Sequence, residues 1–349
     1  MKVGLIHYTE DYHKLAETVA RVCYQSYHKD ADNSHNFIKA IMAKGHISIA
    51  SVGNLVFGVA GFSSLDQFTA ITTDLLTFKE INPFVKVTTP DAKKNPDTQI
   101  GVVVSMNMLA YLDIINAKDD YDWASPLLSS IMKVTDNVPC LRWFYDKTVQ
   151  LPEAPNTYTA KGTPDLYEPI ILEEDYTILK EKGLTSHELD VHASVTVNFL
   201  TDRSAGLQFW RHWGGGCELS QRYVSRNDSK FREMVDLDKL LKYKVEVGAS
   251  QKDADALIKE LGQTQDNIMA SYEEILELSA KIGIHQGRAK EIARSILPNS
   301  IVTQIIQNRP YRNWKHLFKL RDSNHAQREI QEDVIYIKKK FDELGIPTE

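Results

Sequence analysis

The sequence predicts a mixed α and β fold, on two observations. Four β-branched, apolar runs, at 54–60, 100–104, 195–200 and 300–306, have the length and composition of strands. Around them lie segments whose apolar residues recur at helical spacing, several of them closed by glycine or proline.

In chain order, residues 11–24 put Leu15, Val19, Val22 and Cys23 at helical spacing. Residues 34–43, with Phe37, Ile38, Ile41 and Met42, form a second helix that stops at Gly45. Strand 54–60 follows. From 64 to about 185 the prolines Pro83, Pro90, Pro96, Pro152, Pro155, Pro164 and Pro169 read as loops. They interrupt strand 100–104, a helix continuing it at 108–115 and another helix at 126–133. Val195, Val197 and Phe199 alternate in strand 195–200, and a short helix at 205–213 ends in Gly214-Gly215-Gly216, where no side chain obstructs the backbone. Residues 252–261 and 265–282 read as two helices, and 287–297 as a third, stopped before Pro298. Strand 300–306 precedes helices at 312–320 and 325–344.

Two stretches echo each other. Residues 54–63 resemble 194–204 in character, and 102–114 resemble 301–318 in their strand-then-helix order. Either strand–helix units simply look alike, or the chain holds a degenerate second copy of one unit.

The 349 residues suggest one large domain or two ordinary ones, and 42% hydrophobic with 25% charged content is that of a soluble globular chain. Cys23, Cys140 and Cys217 show neither metal-ligand spacing nor a disulfide framework, so no metal is expected and a reducing, cytoplasmic setting is. No secretory signal is read at the N-terminus, and no apolar run reaches the roughly 18 residues that a membrane span needs.

The formal net charge of −6 is uneven. Residues 201–232 hold six Lys/Arg against three Asp/Glu, and 286–328 hold nine against two. Two basic islands in an acidic chain suggest concentrated binding of small phosphorylated molecules; basic helix faces are the other reading. The acidic remainder disfavours a long polyanion, so nucleic acid is not an expected partner.

Arg211-His212 closes a helix before the glycines, and Glu218, Ser220 and Arg222 alternate after them. In an extended loop these three point to one side, where an anion meets a hydroxyl, backbone N–H groups and a guanidinium. A second constellation is Arg294, Arg312, His316, Arg321 and His325. Arg312 and His316 share a helix face, and Arg321 falls at the helix end, where it also complements the helix dipole.

Residues 208–223, QFWRHWGGGCELSQRY, resemble the signature of flavin-dependent thymidylate synthases: Arg-His-Arg, a short loop, Glu or Gln, then Ser-x-Arg-Tyr. The segment from RAKEIARSILP through LRDSNHAQREIQ is similar to that family's C-terminal half, and ARVCY with GHISIAS resembles its first helix and Gly-His-x-Ser turn. The resemblance covers 1–63 and 190–345. It implies an α+β fold with a central, mostly antiparallel sheet and flanking helices. The core would be 1–63 with 190–349, and 64–189 an insertion, either of unknown role or a degenerate repeat.

The resemblance also implies FAD, with NADPH and methylenetetrahydrofolate as co-substrates, in C5 methylation of dUMP to dTMP. The alternatives are C5 methylation or hydroxymethylation of another pyrimidine deoxynucleotide such as dCMP, and a non-catalytic nucleotide binder. A homotetramer is implied, or a dimer if 64–189 replaces a subunit. Carried over by motif, Gln208, Arg211, Glu218, Ser220, Gln221, Arg222 and Arg294 hold the nucleotide. Arg321 lies against the uracil, where a fixed cation stabilises developing negative charge. Arg211, His212, Arg312 and His316 contact the flavin, His46 and Ser48 line the flavin or folate side, and His325 supports the site.

Four positions and one loop depart from the family pattern. Trp213 replaces the second arginine of Arg-His-Arg, so one cation is missing and an aromatic ring able to stack on a flat partner takes its place. The following loop is one residue short and nearly all glycine. Cys217 stands where Asn or Ser is usual, Ser51 where Glu is common, and Pro310 where an Asn often contacts the flavin. Beside Glu218, Arg211 and His212, Cys217 is either an activated nucleophile or a small residue filling a tight loop.

Overall fold

Strand alternation decides the architecture. In the computed structural model, which describes residues 1–26, 34–89, 100–120, 125–142, 169–222, 224, 248 and 250–349, the strands form two four-stranded antiparallel sheets. The first contains β1 (Lys2–Tyr8), β2 (Leu55–Ala60), β3 (Lys86–Thr88) and β4 (Ile100–Met106), in the order β1-β2-β4-β3. The second contains β5 (Ile170–Glu174), β6 (Ser194–Asp202), β7 (Gly215–Glu218) and β8 (Val302–Pro310), in the order β5-β6-β8-β7.

The same order therefore occurs twice, and the helices repeat with it. Between the first two strands lie α1 (Tyr12–Tyr24) and α2 (Ser34–Ala43) in one half. Their counterparts are α7 (Tyr176–Glu181) and α8 (Ser186–His192), and α3 (Leu65–Ile81) corresponds to α9 (Arg203–Arg211). The fourth strand runs into α4 (Met108–Asp120) and α5 (Pro126–Thr135) in the first half, which ends with the short α6 (Pro139–Arg142). In the second half it runs into α12 (Tyr311–Arg321) and α13 (Arg328–Glu343). The second half adds α10 (Gln251–Lys281) and α11 (Gln286–Ala293) between β7 and β8. Leu55 pairs with Met106 as Ser194 pairs with Pro310, so even the register starts alike.

The echoing stretches thus sit at equivalent places: 54–63 and 194–204 carry β2 and β6, while 102–114 and 301–318 carry β4–α4 and β8–α12. The expected α+β fold of antiparallel strands and flanking helices is found, with the strands in two sheets. The segment 64–189 is not a unit apart from them, because β3, β4, α4 and α5 complete the first sheet and its core while β5, α7 and α8 belong to the second.

Other elements differ from the sequence expectation for local reasons. The glycine run is a strand, β7. The two helices expected at 252–261 and 265–282 are one, α10, because Gly262 weakens a helix by about 1 kcal/mol without breaking it. Helix α3 was hidden by the neighbouring prolines and its threonines. Ser64 caps it by accepting from the Gln67 N–H, and Thr69, Thr72, Thr73 and Thr77 return their hydroxyls to carbonyls one turn back. Strands β1, β3 and β5 also went unread.

Each sheet shares its faces between the halves. Leu55, Phe57 and Val59 of β2 enter the first core, whereas Val56 and Val103 enter the second, with Val195, Val197, Phe199 and Trp314. Cys217 and Ile306 return the exchange. Polar groups lock the junction. The Asn54 amide donates to Asp175 Oδ2 and to the His192 carbonyl, each at 2.6 Å. The His192 ring bridges Thr88 and Ser105 of the first sheet, both at 2.8 Å. Burial, then the cations His187, Arg312 and Lys86, holds His192 down to about 3, so the neutral ring donates from one nitrogen and accepts at the other.

Replacing Asn54 by leucine strips donors from a fully enclosed carboxyl and a carbonyl. We expect Asn54→Leu to cost about 2–4 kcal/mol in urea unfolding; a loss within 0.5 kcal/mol of zero, roughly that of a neutral surface change, would show that this junction does not hold the halves together.

Candidate functional site

The glycines are places of close backbone approach, Gly215 against the first half and Gly214 and Gly216 against β8. A Cβ on Gly215 would lie 1.9 Å from the Ser51 carbonyl oxygen, and one on Gly216, at φ +134°, would lie 2.0 Å from the Ile306 oxygen. Only glycine fits either place. The Gly216 N–H donates to Ser51 Oγ at 2.8 Å, and that hydroxyl donates to the Ser48 carbonyl at 2.6 Å. Further along, Cys217 Sγ donates to the Val19 carbonyl at 3.2 Å and the Ser220 N–H to the Cys23 carbonyl at 3.0 Å. The motif strand is therefore built against α1 and the 3-10 turn Ile47–Ala50 of the first half.

The end of α9 meets the end of α12. His212 Nε2 accepts from Arg321 Nε at 3.2 Å, and its ring stands edge-on to His316 at 5.9 Å. Burial first, then Arg309, Arg321 and His316, lowers His212 to about 4. A neutral imidazole accepting at Nε2 carries its proton on Nδ1, so His212 orients the Arg321 guanidinium as a lone-pair partner. Arg211 is exposed at the end of α9 and Arg312 in the first turn of α12, and neither makes a hydrogen bond or ion pair to any described residue.

Arg309 is fully buried and lies beyond the strand expected at 300–306, in the part of β8 that the sequence reading leaves out. Its Nη2 donates to the Phe209 carbonyl at 2.6 Å and to Gln307, capping α9, and its guanidinium lies 4.9 Å from the Trp314 ring centroid. Burial lowers it to about 9. The available signal is an arginine three places after a β-branched strand run, before Pro310.

The expected row of Glu218, Ser220 and Arg222 is broken. Glu218 ends β7, and its carboxylate accepts from Trp210 Nε1 and Thr303 Oγ1, both at 3.0 Å. The chain then turns at Gln221–Arg222. Gln221 is buried and accepts from Arg203 at 3.0 Å, while Arg222 pairs with Glu291 of α11 at 2.7 Å. Arg294, half-buried in the turn after α11, has no partner among the described residues. Gln208 donates to Gln327 at 2.5 Å. His325 is exposed at the edge of the site. His46 stands edge-on to Tyr24 at 5.8 Å, and Ser48 is exposed beside it.

Trp213 does find a flat partner, and it is Phe84 of the first half, stacked at 4.9 Å and 13°. The Lys86 ammonium lies 3.9 Å from the Trp213 ring centroid. Asn313 Nδ2 donates to the Trp213 carbonyl at 3.1 Å. Cys217 is buried, and its contact with Cys23 together with burial holds its pKa well above the usual thiol range. A protonated, enclosed thiol is no nucleophile, so of the two readings the packing residue stands.

The departures from the family pattern share one location. Ser51, Gly215, Gly216 and Cys217 form the β7 contact with the first half, Trp213 leans on Phe84 and Lys86, and Pro310 lines a small cavity with the same two residues. Among the described residues no three His, Cys, Asp or Glu side chains cluster as metal ligands, and no helix is long and apolar enough to cross a membrane.

Residues 184–344 match the family model described as thymidylate synthase complementing protein. Flavin-dependent thymidylate synthases of Mycobacterium avium and Mycobacterium tuberculosis are 32% and 31% identical over 166 residues, which cover 43% of this chain and 60% of each relative. That of Mycobacteroides abscessus is 25% identical over 253 residues, covering 70% of this chain and 88% of the relative. The chain thus spans about three fifths of the length of the mycobacterial relatives that it matches at above 30% identity.

Because Gly215 touches backbone, Gly215→Ala must separate β7 from the Ile47–Ala50 turn. We expect a loss of about 1–3 kcal/mol in thermal or urea unfolding; wild-type stability would mean that the close approach is not part of the folded state in solution.

Proposed function

We propose, from the match of residues 184–344 to the model described as thymidylate synthase complementing protein, that the chain is a flavin-dependent enzyme methylating dUMP at C5 to give dTMP. Methylenetetrahydrofolate would be the one-carbon donor and NADPH the reductant. The carrying observation is a set of cations lacking counter-charge: exposed Arg211 and Arg312 have no acidic partner among the described residues, and Arg321 is held only by a neutral histidine. Such a set favours phosphates and developing negative charge.

The residues fit FAD in kind, with uncompensated guanidinium groups suited to its diphosphate and the imidazoles of His212 and His316 beside them. The chemistry expected of bound FAD is hydride supply and mediation of one-carbon transfer to the uracil. Arg321, fixed through its Nε by His212, would stabilise charge developing on the base. Arg211, Ser220, Gln221, Arg222 and Arg294 would hold the nucleotide, with Gln208 and Glu218 shaping its edge. His212, Arg312 and His316 would face the flavin. Trp213, His46, Ser48 and His325 would border it.

A second reading, methylation or hydroxymethylation of dCMP or dUMP at C5, is favoured by Ser51. It stands where the family often has glutamate and is committed to Gly216, so it would leave the folate side of the site with one carboxylate fewer. Cytoplasmic, self-associated chains are part of the same proposal. Residues 1–142 and 169–349 are proposed to be copies of one unit, the first standing in for a subunit, so that two chains suffice. A native mass equal to four chains would contradict that.

The direct test is an absorbance spectrum after incubation with FAD, then titration with dUMP and dCMP and assay of C5 tritium release. Uptake of flavin and release from one nucleotide are expected, and a colourless protein unable to take up FAD would end the flavin reading. Arg321→Ala should lower turnover at least about 100-fold with little change in melting temperature, and Cys217→Ser should leave turnover near wild type. Full activity in the first variant, or none in a folded second, would break the site assignment.

A further inference from the structure

Lys86 is a cation at the site that comes from outside residues 184–344. It lies on β3, where Nζ donates to the Pro83 carbonyl at 2.9 Å and faces the Trp213 ring. The side chain is nearly enclosed, yet it forms no ion pair with a described residue. Asn313, next to Arg312, donates to the Trp213 carbonyl at 3.1 Å, so the first turn of α12 lies at the residue that Lys86 faces; burial, then Arg312, then Lys79, lowers the Lys86 pKa to about 8. Arg312, from the opposite half, likewise has no carboxylate partner among the described residues. Two neighbouring cations without a counter-charge repel each other, and an anion placed between them removes that repulsion. Trp213 is 42% exposed, so the cluster lies next to solvent rather than deep in the core.

We propose that Lys86 and Arg312 together bind a phosphate group of the site's ligand, so that the first half restores the cation missing at Trp213. The phosphate belongs either to the flavin's diphosphate or to the nucleotide. Naming those ligands rests on the proposed function, whereas the anion site itself does not.

Wild type, Lys86→Met and Lys86→Arg, each as the full chain, would be titrated with FAD by flavin fluorescence and with dUMP by calorimetry. Inorganic pyrophosphate would be followed by the shift in melting temperature. Lys86→Met should weaken FAD at least about tenfold, which is 1.4 kcal/mol, with Lys86→Arg nearer wild type and dUMP unchanged. Selective loss of dUMP affinity would assign the phosphate to the nucleotide and keep the role of Lys86. Unchanged affinity for both ligands would overturn the proposal and leave Lys86 as a brace for Trp213. If wild type binds neither FAD nor dUMP, the proposed function fails and pyrophosphate decides: a shift that depends on Lys86 supports the anion site, and no shift overturns it. Should Lys86→Met not fold, Arg312→Met, on an exposed position, reads the same site, and wild-type affinities there overturn it.

Discussion

The contact on which the rest of the molecule depends is backbone against backbone, Gly215 on Ser51. It brings β7 to the Ile47–Ala50 turn and α1 at a distance that no side chain at 215 tolerates. Everything on the motif side follows from it. The Gly216 and Ser220 N–H groups are satisfied by the first half, the Cys217 thiol is enclosed there, and Trp213 meets Phe84 and Lys86. Buried backbone donors need partners, and here the partners belong to the other half.

That contact gives the departures from the family pattern a single physical origin. Read along the chain, Ser51, Trp213, Cys217 and the glycines look like losses on a cofactor surface. In the fold they are packing residues between two halves of one chain. The repeated strand order places β3 and β7 as counterparts, so one half offers its third strand to the site of the other. The second half's arginine and histidine set has no counterpart in that register: where it has Arg309, Arg312, His316 and Arg321, the first half has Ser105, Met108, Leu112 and Ala117.

Helix ends govern the electrostatics. The α9 C-terminus is capped by buried Arg309, and His212, next in line, stays neutral among cations and so holds Arg321 by accepting from it. A protonated His212 would repel Arg321, so the geometry and the protonation state require each other.

Much was legible in the sequence because it is local. The helix at 12–24, strand 194–202 and helix 311–321 follow from periodicity and stop signals, and the spacing of Arg312, His316 and Arg321 follows from helical geometry. The echo between 54–63 and 194–204 was visible too, though composition could not decide whether it meant a copied unit. What only the tertiary structure decided is non-local. It made a strand of the glycines, turned Glu218 toward Trp210 and Thr303, joined Asn54 to Asp175 across 121 residues of chain, and set Lys86 over Trp213. Periodicity reports which face of an element is buried, but not which distant backbone it is buried against, and in this protein that pairing builds the site.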